Sequence, residues 1–564
     1  MKDIIAKLLK KAFTEKEINL NEKQIEALLE IPPSSELGDY SFPCFSLAGV
    51  LKENPAKIAL EIRNRIPKSE AIDYVQANGS YVNFFLNKKK IAKDLIKEIS
   101  LKKSKFGSMK FFARSMIEFS QANTHKAFHV GHIRGTSIGE SLARILEFAG
   151  EKVTRANYQG DIGMHVAKWI WCYKKYHSKE KLKKDEAWIA GIYVDAVKKL
   201  AQNEKLQVEI DVINKKLSEG SNKNLNALWK KTRRLSLDSF EPIYRQLNTH
   251  FNKYFFESQL EKRGKEIVEE LLKKKIAEFS DGAVIVDLKK YNLGVWVLLR
   301  KDGTVLYSVK DLALAEKKFE EFKIKKSVYV VGTAQSLHMA QLFRVLELMS
   351  FKQAKNCTYV PVTEVRLPTG KMSSRTGENI LYSEFIDEIT SYSSKEIKKR
   401  FPSISKSELE KRAMKISIAA IKYSMLKQNT NKVLIFSKED ALNFEGDSGA
   451  YILYSYARAS SILRKAGKTK KQFAINKELE KVEFELIKKL MQFKDVVFNS
   501  YNNMNPSVIA NYSYQLSQLF NEFYHSSQVI GSENETFRLN LVSSFRQVLK
   551  NSLFLLGIET IEEM

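Results

Sequence analysis

Residues 115–158 read SMIEFSQANTHKAFHVGHIRGTSIGESLARILEFAGEKVTRANY, and their pattern decides the fold. SMIEFS (115–120) is a short apolar run of buried-strand character, and QANTHKAFHV (121–130) is a loop. From Gly131 to Ala149, Ile138, Leu142, Ile145, Leu146 and Ala149 recur on one helical face, with Gly150 as the stop. KVTRANY (152–158) is a second strand. Strand, helix and strand in this order form a βαβ unit, and its crossover leaves the two strands parallel. The class is α/β around a parallel sheet.

Working outward, residues 1–107 mix helix with short strands. MKDIIAKLLKKAF is an amphipathic helix, IPPSSELGDYSFP (31–43) is punctuated by Pro and Gly, and YVNFFL (81–86) is a strand. Residues from about 170 to 280 are charged and helical in pattern, which predicts a helical insertion. VWVLLRKDGTVLYS (295–308) reads as a hairpin turned at Asp302-Gly303. VYVVG (328–332) and CTYVPV (357–362) are further strands, followed by the loop RLPTGKMSSRTGENI (366–380). After about 385 strands stop and helical periodicity runs to Met564, as in a helical bundle. The expected division is an α+β domain over 1–107, a Rossmann-like catalytic domain over 108–385 with the insertion, and an all-α domain over 386–564.

Composition narrows the function. The chain has 564 residues, with 93 Lys+Arg against 66 Asp+Glu for a net +27, so a polyanionic partner such as nucleic acid is favoured. A solvated lysine-rich surface gives the same number, and charge alone leaves the choice open. Cys44, Cys172 and Cys357 are few, odd in number and far apart, as suits a reducing compartment, and the cytoplasm is the expected location. No run of about 18 apolar residues is present, so no membrane span is expected.

GxxxxGK[ST] and GxGxxG fingerprints are absent, which disfavours P-loop NTPases and dinucleotide dehydrogenases. His125, His129 and His132 fall at i, i+4 and i+7, but no HExxH carboxylate accompanies them, and no resident metal is expected. What remains is His129-Val-Gly131-His132 where a buried strand turns into a helix. There Gly131 admits close backbone approach, the helix N-terminus favours an anion, and the two imidazoles can donate to phosphate. About 240 residues on, Lys371-Met372-Ser373-Ser374-Arg375 follows a strand in a loop able to bring an ammonium to a triphosphate.

HVGH and KMSSR in this order resemble the two signatures of class I aminoacyl-tRNA synthetases. More narrowly, 118–150, RANYQGDIG (155–163), 302–319, YVVGTAQSLHMAQLF (329–343) and 446–467 resemble the arginyl-tRNA synthetase family, and ELGDYSFP and YVNFFL are similar to its N-terminal domain. The resemblance spans nearly the whole chain. It implies ATP-dependent activation of L-arginine to arginyl-adenylate and transfer to the 3′-terminal ribose of tRNA(Arg), with ATP acting as its Mg²⁺ complex and the enzyme as a monomer. It further implies catalytic roles for His129, His132, Lys371 and Lys126, and nucleotide contacts from Gly131, Met372 and Ser373 as well. Arginine would be held by Glu118, Asn123, Tyr307, Asp311 and Gln335, and tRNA by the N-terminal and helical domains. Within these, Tyr451, Tyr454 and Arg458 interleave aromatics with cations as base stacking and phosphate pairing need, though helical packing explains that stretch as well, and Asn83 is the expected contact of the first domain.

A guanidinium demands carboxylates placed for fork-like hydrogen bonding, which Glu118 and Asp311 can supply. Ser308-Val-Lys-Asp311 is also a capping-box spacing, so a structural role for Asp311 stays open. Ser374 stands where the family's second loop lysine is usual, and Lys126 is the expected compensation. A class I synthetase for another amino acid would waste this negative charge, and a non-catalytic RNA-binding protein would not need His129, His132 and Lys371.

Overall fold

The computed structural model describes the chain except for residues 15–17, 302, 304–305, 369, 372–379 and 468–473. It resolves into two compact units. One gathers Met1–Lys103 with parts of 468–491 and 522–544; the other holds the remainder.

In the first unit, an antiparallel sheet runs in the order Tyr40–Pro43, Tyr81–Leu86, Ile72–Asn78. The helices Lys2–Thr14 and Pro55–Arg65 bury Ile5, Leu9, Phe13, Ile58 and Ile62 in its core. The C-terminal segments join by charge as well as packing. Arg538 lies 2.7 Å from Glu483 and 2.5 Å from Glu480, and Lys89 lies 2.6 Å from Glu478.

In the second unit, five parallel strands run in the order Cys357–Val362, Lys326–Gly332, Arg114–Glu118, Lys152–Gln159, Lys253–Phe256. By chain order this is 5-4-1-2-3, the doubly wound arrangement. The switch point falls between Arg114–Glu118 and Lys326–Gly332, which pair with Glu118 opposite Tyr329. Crevices at the carboxyl ends of strands open at such a point. The helix Val130–Phe148 makes the first crossover, and its Gly139 is obligatory because an added Cβ would lie 2.1 Å from the Phe119 ring.

Three local readings need correction. Lys253–Phe256 lies inside the stretch expected to be helical, yet it is the edge strand of the main sheet; four residues are too few to interrupt the surrounding helical pattern. The second arm of the expected 295–308 hairpin is not a strand at its end, because Tyr307 begins the helix Tyr307–Phe322, although Leu306 N–H still donates to Leu298 O at 3.1 Å. A two-residue strand, Leu434–Ile435, pairs with Val365–Leu367 beyond the point where strands were expected to stop. Within the insertion, Met164–Tyr176, Glu186–Gln202 and Gln207–Glu219 are helices that close around Trp169, Trp171, Ile189 and Ile210. Among the described residues, no helix is long and apolar enough to cross a membrane.

Candidate active site

A cleft of about 650 Å³ opens at the switch point. Glu118, Asn123, His129, Gly131, His132, Asp311 and Gln335 all line it, although the sequence spreads them over more than two hundred residues. Tyr158, Glu257, Gly332 and His338 complete much of the wall.

The two histidines cap the helix Val130–Phe148 themselves. Gly131 N–H donates to His129 Nδ1 at 3.1 Å, and His129 N–H donates to His132 Nδ1 at 3.1 Å. An imidazole that accepts at Nδ1 carries its proton on Nε2. Burial, with Lys126 adding like charge, pulls the His129 pKa down to about 4, and burial holds His132 well below the usual histidine range. Both rings are therefore neutral Nε2–H donors at neutral pH, set at the positive end of a helix. That arrangement suits an anionic group with several oxygens.

The loop between strand and helix is held in unusual backbone. Ser120, Gln121 and His125 have φ of +75°, +55° and +61°. Side chains keep it there: Gln121 N–H donates to Asn157 Oδ1 at 3.1 Å, and Thr136 donates to Ser120 at 3.0 Å. His125 points away from the other two histidines, bonding Thr232 at 2.8 Å and Thr124 at 3.0 Å, so the three do not form a metal face. Among the described residues one donor group, Cys172, His177 and Asp195, brings its ligand atoms within 4.8 Å. None of these lines the cleft; both His177 nitrogens face carboxylates, and Lys199 lies 3.6 Å from Asp195. His165, given no role by the sequence, bonds Gly160 O at 3.2 Å.

Glu118 ends its strand 3% exposed. Its Oε1 accepts from Gln121 Nε2 at 2.8 Å, and its Oε2 lies 2.5 Å from the ammonium of Lys318, itself fully buried and 3.9 Å from the Tyr329 ring centre. Asp311 and Lys318 are seven residues apart on one helix, hence on one face. Asp311 does not cap that helix. The N-cap is Leu306, Ser308 Oγ donates instead to Val297 O at 2.7 Å, and Asp311 Oδ2 lies 2.6 Å from His338 Nε2. The capping reading is excluded, and the carboxylate faces the cleft.

Tyr307 flanks this pair, its ring 4.7 Å from that of His338 and edge-on, but it is half exposed and does not line the cleft. Lys126 stands close enough to depress both capping histidines, with its ammonium 5.1 Å from the Tyr193 ring centre rather than on the cleft wall. Lys371 is described in its backbone alone, paired with Arg366, and Met372 and Ser373 lie outside the described residues.

Glu257 and His338 on the cleft wall, and Lys318 buried against Glu118, are the residues that sequence reasoning missed. Glu257 follows the short strand that was itself overlooked; burial pushes its carboxyl up against the pull of Lys310, 3.0 Å away. Gly160 packs beside it: a Cβ there would come within 2.5 Å of Asn123 Oδ1 and 3.2 Å of Glu257 Oε1.

Elsewhere, Asn83 is not available as a surface contact. It is 3% exposed although strand alternation sets it on the face of Tyr81 and Phe85, because it sits on the middle strand of the sheet, where its Oδ1 accepts from Ser41 of the paired strand at 2.6 Å. The outward aromatic pair on that sheet is Tyr74 stacked on Phe85 at 4.0 Å. Tyr451, Tyr454 and Arg458 are half-buried and turned toward one another and Asn521. Arg458 donates to Asn521 Oδ1 at 2.7 Å and to Tyr454 at 3.0 Å, and Asn521 donates to Tyr451 at 2.9 Å.

Comparison with known proteins agrees along the whole chain. The family model for the class I (R) tRNA synthetase catalytic domain matches residues 95–437, that for the DALR anticodon binding domain 452–564, and that for the arginyl-tRNA synthetase N-terminal domain 1–86. The arginine–tRNA ligase of Clostridium perfringens is 36% identical over 557 residues, covering 97% of this chain and 98% of the relative. That of Clostridium kluyveri is 37% identical over 558 residues, with the same coverage. Among solved structures, Thermus thermophilus arginyl-tRNA synthetase superposes with a TM-score of 0.81 at 25% identity over 100% of both chains. The Plasmodium falciparum arginyl-tRNA synthetase shares the fold with a TM-score of 0.77 at 21% identity, covering 99% of this chain and 98% of that one. With its Rossmann-like sheet, its paired acids and its histidine-capped helix, the chain belongs to the arginyl-tRNA synthetases of class I.

Proposed function

We propose that the switch-point cleft activates L-arginine with ATP and passes it to tRNA(Arg). The reading rests above all on one observation: Glu118 and Asp311 open into the same cleft as the Nε2–H donors of His129 and His132. In the first step an arginine carboxylate oxygen attacks the α-phosphate of Mg-ATP, the bond to the leaving pyrophosphate breaks, and arginyl-adenylate forms. In the second a terminal ribose hydroxyl of tRNA attacks the adenylate carbonyl and releases AMP. The protein positions the reactants and neutralises charge that grows on phosphate oxygens. Magnesium arrives with the nucleotide as part of the substrate.

Each group then has a part. Asp311 and Glu118 take the guanidinium, with Tyr307 beside them. Asn123, Gln335 and the Glu257 carboxylate receive the α-ammonium end. His129 and His132 donate to phosphate, Gly131 lets it approach the backbone, and Lys126 and Lys371 add positive charge, with Met372 and Ser373 as further nucleotide contacts. The enzyme is read as a monomer, and the free thiols Cys44, Cys172 and Cys357 suit the cytoplasm. For tRNA, the 386–564 region and the 1–107 domain supply the contacts. Tyr74 and Phe85 are a better stacking platform than Asn83, and Tyr451, Tyr454 and Arg458 shape the helical surface through their shared network.

The test is to incubate the protein with tRNA, ATP and each amino acid in turn. Arginine alone is charged; loading of a different amino acid, or of none, overturns the reading.

A further inference from the structure

Glu118 and Asp311 are held in different ways. Glu118 has a cation, Lys318, at 2.5 Å. Asp311 has no lysine or arginine within ion-pair distance among the described residues; its partner is His338, 6% exposed, at 2.6 Å. The other imidazole nitrogen decides the charge of that partner. Trp296, 4% exposed on the strand Val295–Leu299, directs its indole N–H at His338 Nδ1 from 3.3 Å. An indole N–H only donates, so Nδ1 must present a lone pair. The single imidazole proton then sits on Nε2 and points at Asp311 Oδ2. A doubly protonated ring would set N–H against N–H at Trp296.

We propose that His338 is a positioning residue for substrate selection: kept neutral and in one tautomer by Trp296, it fixes Asp311 Oδ2 and leaves the other carboxylate oxygen and the whole negative charge to a planar monocation. A lysine in its place would orient the carboxylate equally well and cancel its charge. With Lys318 matched to Glu118, the pocket offers two oriented carboxylates and one net negative charge, the complement of one guanidinium. Tyr307 packs edge-on against the imidazole, its ring centre 4.7 Å away. This deepens the proposed arginine activation and rests on it.

The experiment uses the full chain with tRNA and ATP, measuring aminoacylation kinetics of wild type, His338→Leu, His338→Gln, Trp296→Phe, Asp311→Asn and the double variant Asp311→Asn/His338→Leu. Wild-type charging of arginine is the control for the underlying reading; if it fails, that reading fails first. His338→Leu is expected to raise the arginine KM on the order of 10- to 100-fold, with the ATP KM within about twofold. His338→Gln, whose amide nitrogen reaches the Nε2 position, stays within about fivefold of wild type, and Trp296→Phe falls between the two. Because His338 acts through Asp311, the double variant is no worse than Asp311→Asn alone. The inference is overturned if His338→Leu leaves the arginine KM within threefold, if it raises the KM values of ATP and arginine alike, or if its effect adds in full to that of Asp311→Asn.

Discussion

Replacing Lys318 with Met removes the cation 2.5 Å from Glu118 Oε2 while keeping an unbranched stem. The side chains of Lys318 and Glu118 are 0% and 4% exposed, so water cannot take over from the lost partner. Breaking a buried pair from one side costs about 3–5 kcal/mol, because the surviving charge is left unmatched. Two features put the expectation near the lower end, about 3 kcal/mol. Gln121 still donates to Glu118 at 2.8 Å, and a thioether is a tolerable neighbour for the Tyr329 ring that now faces the ammonium. Arginine can return what the substitution removes, since its guanidinium supplies a counter-charge to Glu118. A ligand that binds more strongly to a state needing its charge raises the stability of that state further. In thermal melts, Lys318→Met therefore unfolds earlier than wild type without ligand, and saturating arginine lifts its Tm by more than it lifts the wild type. Adding Glu118→Gln to Lys318→Met recovers most of the lost stability and abolishes the extra response. Equal arginine shifts in wild type and variant, or a variant that melts as wild type does, would refute the claim that Lys318 is the resident counter-ion of the substrate acid.

Asp311→Asn keeps an acceptor for His338 but removes the charge, so kcat/KM for arginine falls on the order of 10²- to 10³-fold while the Tm moves little; steady-state aminoacylation beside a melt checks both, and a lower Tm with unchanged kinetics contradicts the site assignment. Gly160→Ala drives a methyl into Asn123 and Glu257, and the arginine KM should rise about tenfold, whereas an unchanged KM would show that this wall tolerates displacement. Stability should also fall as pH drops from about 6.5 toward 4. His125, His129 and His165 are pulled by burial to about 3, 4 and 4, and His132 well below its usual value, so the unfolded chain binds more protons in that window. Each contributes up to about 1.4 kcal/mol per pH unit, and Glu186, pushed up to about 7 by burial, opposes them over part of the range. Denaturant midpoints that stay flat or rise between pH 6.5 and 4.5 would contradict the buried, neutral histidines.

The parts of this molecule legible in its sequence are those whose signal is local. The βαβ unit at 115–158 is carried by adjacent residues, and the paired signatures gave the cleft's histidines and acids together. Lys318 was not legible, because EKKFEEF reads as a solvated helical face; its burial depends on Glu118 and Tyr329 from two distant strands. Lys253–Phe256 was too short to break a helical pattern, and with it went Glu257. His338 had a detectable signal, lying three residues beyond Gln335 at the start of a helix, but its partner Trp296 sits on a strand that carries no motif. Asn83 was misjudged for a different reason: polarity and a strand face shared with Tyr81 and Phe85 suggested solvent, while the cross-strand Ser41 hydroxyl takes up its amide oxygen in a buried position.

Arg134 is buried with no carboxylate within ion-pair distance among the described residues, and burial draws its pKa down to about 10. Its guanidinium donates to Thr363 O and Oγ1 at 3.1 and 2.6 Å and to Asn429 O at 3.2 Å. The same helix begins, one turn earlier, with the histidine cap. One side chain thus staples the backbone leading toward Lys371 to the scaffold that presents His129 and His132. Thr363 and Glu364 line the cleft together with those histidines, so a change at Arg134 reaches two stretches of its wall at once.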